Sequence, residues 1–530
     1  MANRFASSTP LSARASITSF ALAILTAAGA MAQSSQVGVP PDSDLAIPSV
    51  MIDRLLDQKL ESESQTPVGQ SDDAEFCRRL WLDLAGVAPP VWELRSFLAD
   101  ESDDKRSRLI DRLLHSPRFA DHMATRYTHS LLPGDIESVP QPDVEALQRW
   151  LRQAFLENKP YDHLVGAFLT AGGGTDTGPA IFYTSREADP IKVASATSRL
   201  FLGIGIDCAQ CHDHPFADWN QNDFWSFAAF FSQLELGENA MPNNRVVEDR
   251  VGKELTLMDT DQIIQPRYLG SDEPPEPDPE NLRRRQLTIW LASRSNPYFA
   301  TAAVNRVWAH LFGRGLVNPI DEIDSIEHAS HPQLLRYLSA YLIEERFDLR
   351  KVYRAIANTR AYQRTSRFDG LRPPQNSYAI MHPKTLSPEQ YFDSLRQNII
   401  RRLDPVLSET GMIDLQRQRF VQRMRDRGAT PMDYPHGVVQ ALGMINGPEM
   451  MLATTDSSSG IIAAIEAPFL DDRQRIEALF LASLSRPPTE AESKRFLDYL
   501  TDDSINASKP QRWGDLIWVL ANSAESFVCP

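Results

Sequence analysis

Cys77-Arg78-Arg79-Leu80-Trp81-Leu82-Asp83-Leu84-Ala85-Gly86-Val87-Ala88-Pro89-Pro90 is the stretch whose reading decides the fold class. Leu80 and Leu84 stand four residues apart, the spacing of one helix face. Gly86 then stops that helix, and Pro89-Pro90 opens the next, where a missing amide hydrogen costs nothing. Outward from this point the same period recurs at Val50, Leu55 and Leu56 upstream and at Leu109, Ile110, Leu113 and Leu114 downstream. Pro117, Pro160 and Pro190 mark further helix starts, and the pattern runs on through Val144 to Leu156, Tyr161 to Leu169 and Ile191 to about Gly205. These segments predict a mainly α, multi-helix protein of two domains.

One segment changes period. Arg245 to Met258 alternates apolar and polar residues around Gly252-Lys253, which predicts a small β-hairpin insertion near 245–258. After it, Gly270 to Pro279 is rich in acids and prolines and reads as an extended linker. The expected organisation is a helical N-terminal domain over 46–236, a hairpin and acidic Pro-rich linker over 237–279, and a helical C-terminal domain over 280–530. Within the last of these, Leu287, Trp290, Leu291, Val304, Val307, Trp308 and Leu311 form candidate core stripes. A turn-rich stretch from Arg364 to Pro383 sets off a final helical group.

The first 32 residues predict export. Arg4 and Arg14 precede an apolar run from Ile17 to Met31, and Ala30-Met31-Ala32 places small side chains at positions −3 and −1 of a cleavage site. The expected mature chain starts at Gln33, with a polar linker over 33–45, in the periplasm or as a secreted protein. No run reaches the roughly 18 apolar residues of a spanning helix, so no integral span is expected after cleavage. The formal charge of −16 becomes −18 once Arg4 and Arg14 are removed. So acidic a surface repels phosphate backbones and argues against nucleic-acid partners. The basic run Arg283-Arg284-Arg285 reads as a solvated helix face.

Two of the four cysteines fall in Cys208-Ala209-Gln210-Cys211-His212, the attachment pattern for c-type haem. Two intervening residues let both sulfurs reach the vinyl groups of one porphyrin edge, and the adjacent His212 then becomes the proximal iron ligand. A rival reading is a zinc site built from Cys208, Cys211, His212 and His214, two thiolates and two imidazoles, although four ligands within seven residues crowd a tetrahedron. A thioredoxin-like dithiol expects a strand before the motif, where Ile191 to Gly205 reads as helix, and a plain disulfide is the third alternative. Phe216, Trp219, Phe224, Trp225, Phe227, Phe230 and Phe231 follow, read either as helix core or as apolar cover for a haem. Cys77 and Cys529 are the remaining intramolecular pair, an open question for an oxidising compartment. His115, His122, His129, His163, His310, His328, His331, His382 and His436 read individually as structural or surface residues.

The motifs resemble a known family, the planctomycete-type paired domains of unknown function, the first of which is named for its cytochrome-c-like motif. Cys77 to Gly86 with Pro89-Pro90, then Leu113-Leu114-His115-Ser116-Pro117-Arg118-Phe119, and Cys208 to Phe216 are similar to the first domain. Asn305-Arg306-Val307-Trp308, Phe312-Gly313-Arg314-Gly315-Leu316-Val317, Ser330-His331-Pro332 and Tyr362-Gln363 are similar to the second. Ile326-Glu327-His328-Ala329 departs from the Asn-Pro-Pro-like run expected there. The resemblance implies export, a covalent haem and a helical build, without a reaction.

The expected function is an exported c-type monohaem protein, an electron carrier or redox partner of unknown pathway, with a redox partner protein of its own. The alternative is a non-redox binding or assembly protein with a structural Cys/His metal site, supporting secreted polysaccharide-degrading enzymes on family association alone. An enzyme using an open haem position stays open. No Ser-His-Asp order, Gly-rich phosphate loop or paired-carboxylate signature assigns a reaction.

Overall fold

The opening stretch forms the helix Asp73–Ala85, capped at its start by the Asp72 side chain, which accepts from the Glu75 amide at 2.8 Å. It is buried on every side, not on one face. Cys77, Leu80 and Leu84 enter the main apolar core, while Glu75, Arg78, Arg79 and Asp83, all at most 4% exposed, are partnered inside it. Arg79 donates to Glu75 Oε1 at 2.7 Å, to the Tyr362 carbonyl at 2.6 Å and to the Pro530 carbonyl at 2.5 Å. Arg78 donates to the Ser526 carbonyl at 3.2 Å and the Ser485 hydroxyl at 3.3 Å. Periodicity alone predicted a helix with one apolar face, but two guanidiniums that find acceptors inside the core, with only Arg78 Nε left unpartnered, let the other face go inward too.

The structure, a computed structural model, describes residues 47–530 except 133–138, 214–216, 239–244, 258–259, 272–273, 295, 324, 401–411, 425–446 and 456–458. The expected signal segment 1–32 and linker 33–45 lie outside the described residues, as do His214, Phe216, Met258 and His436. The build is mainly α with small β insertions. Among the described residues no helix is long and apolar enough to cross a membrane.

Helices run from Pro48–Ser62 through Val91–Ala99, Lys105–Leu114, Pro117–Leu131, Gln141–Leu156 and Tyr161–Leu169 to Pro190–Thr197, then from Arg283–Leu291 and Phe299–Phe312 to Pro332–Glu344 and Leu349–Ala357. One apolar core, from Ile52 to Met381 and including Leu481, draws on all of them. It includes Ile264 and Leu269 just before the acidic Pro-rich segment, where the Tyr268 ring is stacked between Phe230 at 5.2 Å and Trp290 at 4.7 Å, and resumes after it at Leu287. A second core, from Tyr391 to Ala521, joins Pro388–Asn398, Asp472–Leu484, Glu490–Thr501 and Lys509–Ala521.

β structure falls where the alternation placed it, with different partners. Arg245–Asp249 pairs antiparallel with Leu234–Glu238 on one side and Gly173–Gly174 on the other, while Leu255–Thr256 pairs with Ile263–Ile264. The two arms around Gly252 therefore do not pair with each other, because Val247, 1% exposed, turns the first arm into the core alongside Leu234 of its partner strand. The basic run is also corrected. Arg283 and Arg284 are buried: Arg284 pairs with Asp249 and donates to the Ala171 carbonyl at 2.7 Å, and Arg283 pairs with Glu254 at 2.6 Å. They fasten the β insertion to the helix that follows it, and only Arg285 stays partly in solvent.

Candidate functional site

The helix Pro190–Thr197 continues as a wide turn over Ser198–Leu202 and ends at Gly203, whose φ of +67° is left-handed. A side chain at Gly203 would also bring its Cβ to 2.6 Å from Ile323. A short 3₁₀ turn, Asp207–Gln210, follows and carries Cys208, with Cys211 and His212 directly after it. The turn is anchored from beneath by Ile206 and Ala209, both fully buried. The helix Gln221–Ala228 braces it from the other side: Trp225 Nε1 donates to the Gln210 carbonyl at 3.1 Å, and Gln221 Nε2 to the carbonyls of Gln210 and Cys211 at 3.2 and 3.3 Å. A capping box between Asn220 and Asp223 fixes the start of that bracing helix.

Cys208, Cys211 and His212 are thus held on a braced turn with their side chains exposed, and both thiols are free. His212 Nδ1 lies 2.7 Å from the Asp213 carbonyl. A carbonyl only accepts, so the proton sits on Nδ1 and the Nε2 lone pair is left for a metal. That is the donor set a c-type haem needs: two open thiols for thioethers and one imidazole nitrogen for iron. Among the described residues no three His, Cys, Asp or Glu side chains are gathered to hold a bare metal ion, and His214, the fourth member of the zinc set, lies outside them.

Residues 51–236 match PSCyt2, a protein of unknown function (DUF1549), and residues 283–429 match PSD1, a protein of unknown function (DUF1553). The chain belongs to this paired-domain family. No curated protein and no solved structure matches it. The PSCyt2 part supplies both thiols and the imidazole, and the PSD1 part clamps the stem of the turn. Arg306 donates to the carbonyls of Arg199 and Leu200 at 2.8 and 3.2 Å and pairs with Asp321, while the Ile323 amide donates to the Gly203 carbonyl at 2.7 Å.

The aromatic residues after the motif divide cleanly. Phe224, Trp225, Phe227, Phe230 and Phe231 are at most 2% exposed and belong to the main core; Trp219, 8% exposed, is the nearest of the described rings to the surface. Cys77 and Cys529 are both free and buried, one in the main core and one packed with Leu82 and Leu386. Burial holds both thiols up, Cys529 to about 12.

Sequence reasoning set aside a further gathering of residues. His122, His129 and His310 line one cavity together with Asp83 and Lys384. The available signal was the seven-residue spacing of His122 and His129, which places them on one face of Pro117–Leu131. His310 is on another helix, and nothing in its local pattern connects it to them.

Proposed function

We propose that this chain is an exported c-type monohaem protein that works as an electron carrier or redox partner. The observation that supports the reading is the braced turn at 207–212, with two exposed free thiols and an imidazole whose Nε2 is kept available. Cys208 and Cys211 would hold the porphyrin edge and His212 would ligate the iron; haem so bound supplies one-electron transfer. The protein's own contribution is positional. Trp225, Gln221 and Arg306 keep the turn from collapsing onto the core, and the capped helix behind it keeps the donors facing outward.

The test is the visible spectrum and a haem stain on denatured gels for protein matured through a competent c-haem attachment pathway. Covalent haem is expected in wild type, sharply reduced in Cys208→Ala, Cys211→Ala and His212→Ala, and retained in His214→Ala. Wild-type protein with no covalent haem and one equivalent of zinc overturns the proposal in favour of a structural metal site.

A further inference from the structure

A cavity of about 840 Å³ opens among Pro117–Leu131, the end of Phe299–Phe312, the start of Pro388–Asn398 and Arg417, with Cys529 at its wall. None of the Cys208–His212 residues lines it. Its volume is that of a small-molecule site, yet its wall is dense in charge. Five cations, Arg118, Arg126, Lys384, Arg396 and Arg417, face four carboxylates, Asp83, Asp121, Glu389 and Asp393, in a chain whose overall charge is −16.

Each carboxylate is engaged. Asp83 accepts from Lys384 at 2.5 Å and from the Tyr362 hydroxyl at 2.8 Å; Asp393 takes both arms of Arg417; Glu389 lies 3.5 Å from His129 Nε2. Asp121 is held at 2.5 Å by Arg152, which does not line the cavity. The carboxylates are therefore committed as partners to the wall rather than presented as a cation site.

Two histidines form the inner wall, with ring centroids 5.6 Å apart. His310 is tied through Nδ1 to the Tyr353 hydroxyl at 2.8 Å. His122 Nε2 is buried and has no hydrogen-bond partner. An unpaired buried polar atom is costly, and this one belongs to a residue that lines the cavity. Burial and the positive charges of Arg126, Lys384 and Arg417 keep His122 neutral, and burial with Arg126 does the same for His310. Gly86 makes room for the ring, since a Cβ there would lie 2.3 Å from His122 Nδ1.

We propose that this cavity binds a small molecule through an oxyanion group, a carboxylate or a phosphate, held by Arg126 and Arg417 with the His122 Nε2–H as the neutral donor. A guanidinium stays charged and carries five N–H donors, so Arg417 can hold Asp393 through Nε and Nη2 and still add charge and a donor toward such a group. The oxyanion satisfies the orphaned His122 nitrogen and faces a wall whose carboxylates already have cations. The site is independent of the haem reading, because no residue is shared.

The experiment is titration calorimetry of the full exported protein with inorganic phosphate and, separately, with malonate, at constant ionic strength. Saturable binding of at least one probe is expected, and which one binds separates a phosphate from a carboxylate ligand. Arg126→Gln and His122→Phe should each weaken it by about tenfold or more, while Lys494→Gln, on an exposed helix face that does not line the cavity, should bind as wild type. Should either cavity variant fail to fold, phenylglyoxal labelling of wild type read by mass spectrometry replaces it: the bound probe should protect Arg126 and Arg417. No saturable binding of either probe, equal binding by wild type and the cavity variants, or unprotected arginines overturns the proposal.

Discussion

The turn at 207–213 and the buried hub around Asp83 use similar residue types, a cysteine, an acid and bases, to opposite ends. In the hub Asp83, 2% exposed, takes hydrogen bonds from Lys384 and Tyr362, and Cys529 Sγ lies 3.6 Å from the same carboxylate. The carboxylate, the ammonium, the hydroxyl and the thiol are all used internally, which joins the first helices to the strand pair Lys384–Thr385 and Val528–Cys529. On the turn the backbone is braced but both thiols and the imidazole are left open to solvent. The contrast teaches that chemistry-bearing side chains mark a site only where the fold supports their backbone and spares their reactive atoms.

The sharpest way to break that comparison is Asp83→Ala. It leaves the part-buried Lys384 ammonium with only the His310 and Leu311 carbonyls and takes the acceptor from the buried Tyr362 hydroxyl, and the expected loss is about 2–4 kcal/mol, read as a lower urea midpoint; a loss under about 1 kcal/mol would remove Asp83 from the hub.

Acid comes next. His331, 4% exposed at the start of Pro332–Glu344, is held down to about 3 by burial and then by the Lys59 charge. Its folded value lies below the unfolded one near 6.5, so the unfolded chain binds the proton first. Stability is complete above about pH 6.5 and falls by up to about 1.4 kcal/mol per pH unit below it, towards about 3. His331→Gln should flatten this limb in urea titrations between pH 6.5 and 4.5, and an unchanged slope would assign the acid sensitivity to other groups.

Gly86→Ala tests how closely the hub and the cavity are built. It places a Cβ at a φ of +68° and against His122, and should cost about 1–3 kcal/mol by chemical denaturation.

The smallest effect belongs to the turn itself. In haem-free protein, Cys208→Ala and Cys211→Ala should each change stability by no more than about 0.5 kcal/mol. A thiol reagent at pH 8 should label two cysteines in the native haem-free chain and four after denaturation. Labelling of Cys77 or Cys529 in the native state would contradict the burial of that pair.

Much of this was legible in the sequence because it is local. Leu80, Leu84, Gly86 and Pro89-Pro90 specify a helix, its stop and the next start through propensity and backbone conformation alone. Cys208, Cys211 and His212 are adjacent in the chain, so their convergence needs no tertiary information. The burial of Arg78, Arg79, Arg283 and Arg284 was not legible. A guanidinium goes inside only when acceptors from distant segments meet it, and for Arg79 those come from Tyr362 and Pro530, beside Glu75 one turn away on its own helix. The β insertion shows the same divide, since alternation marked 245–258 as β while partners at 173–174, 234–238 and 263–264 were decided by which side chains the core accepted.

By itself, then, the sequence determined the helical class, many helix starts and stops, the paired-domain family and the Cys-x-x-Cys-His donor set, because each is written in local stretches of chain. Tertiary structure alone decided which histidines meet. His122 and His310 are 188 positions apart in the numbering, and only the packing of Pro117–Leu131 near Phe299–Phe312 brings their rings together at the wall of one charged cavity. Hydrophobic burial is non-directional, so the pattern that predicts each helix carries no record of which polar side chains its packing will leave facing one another.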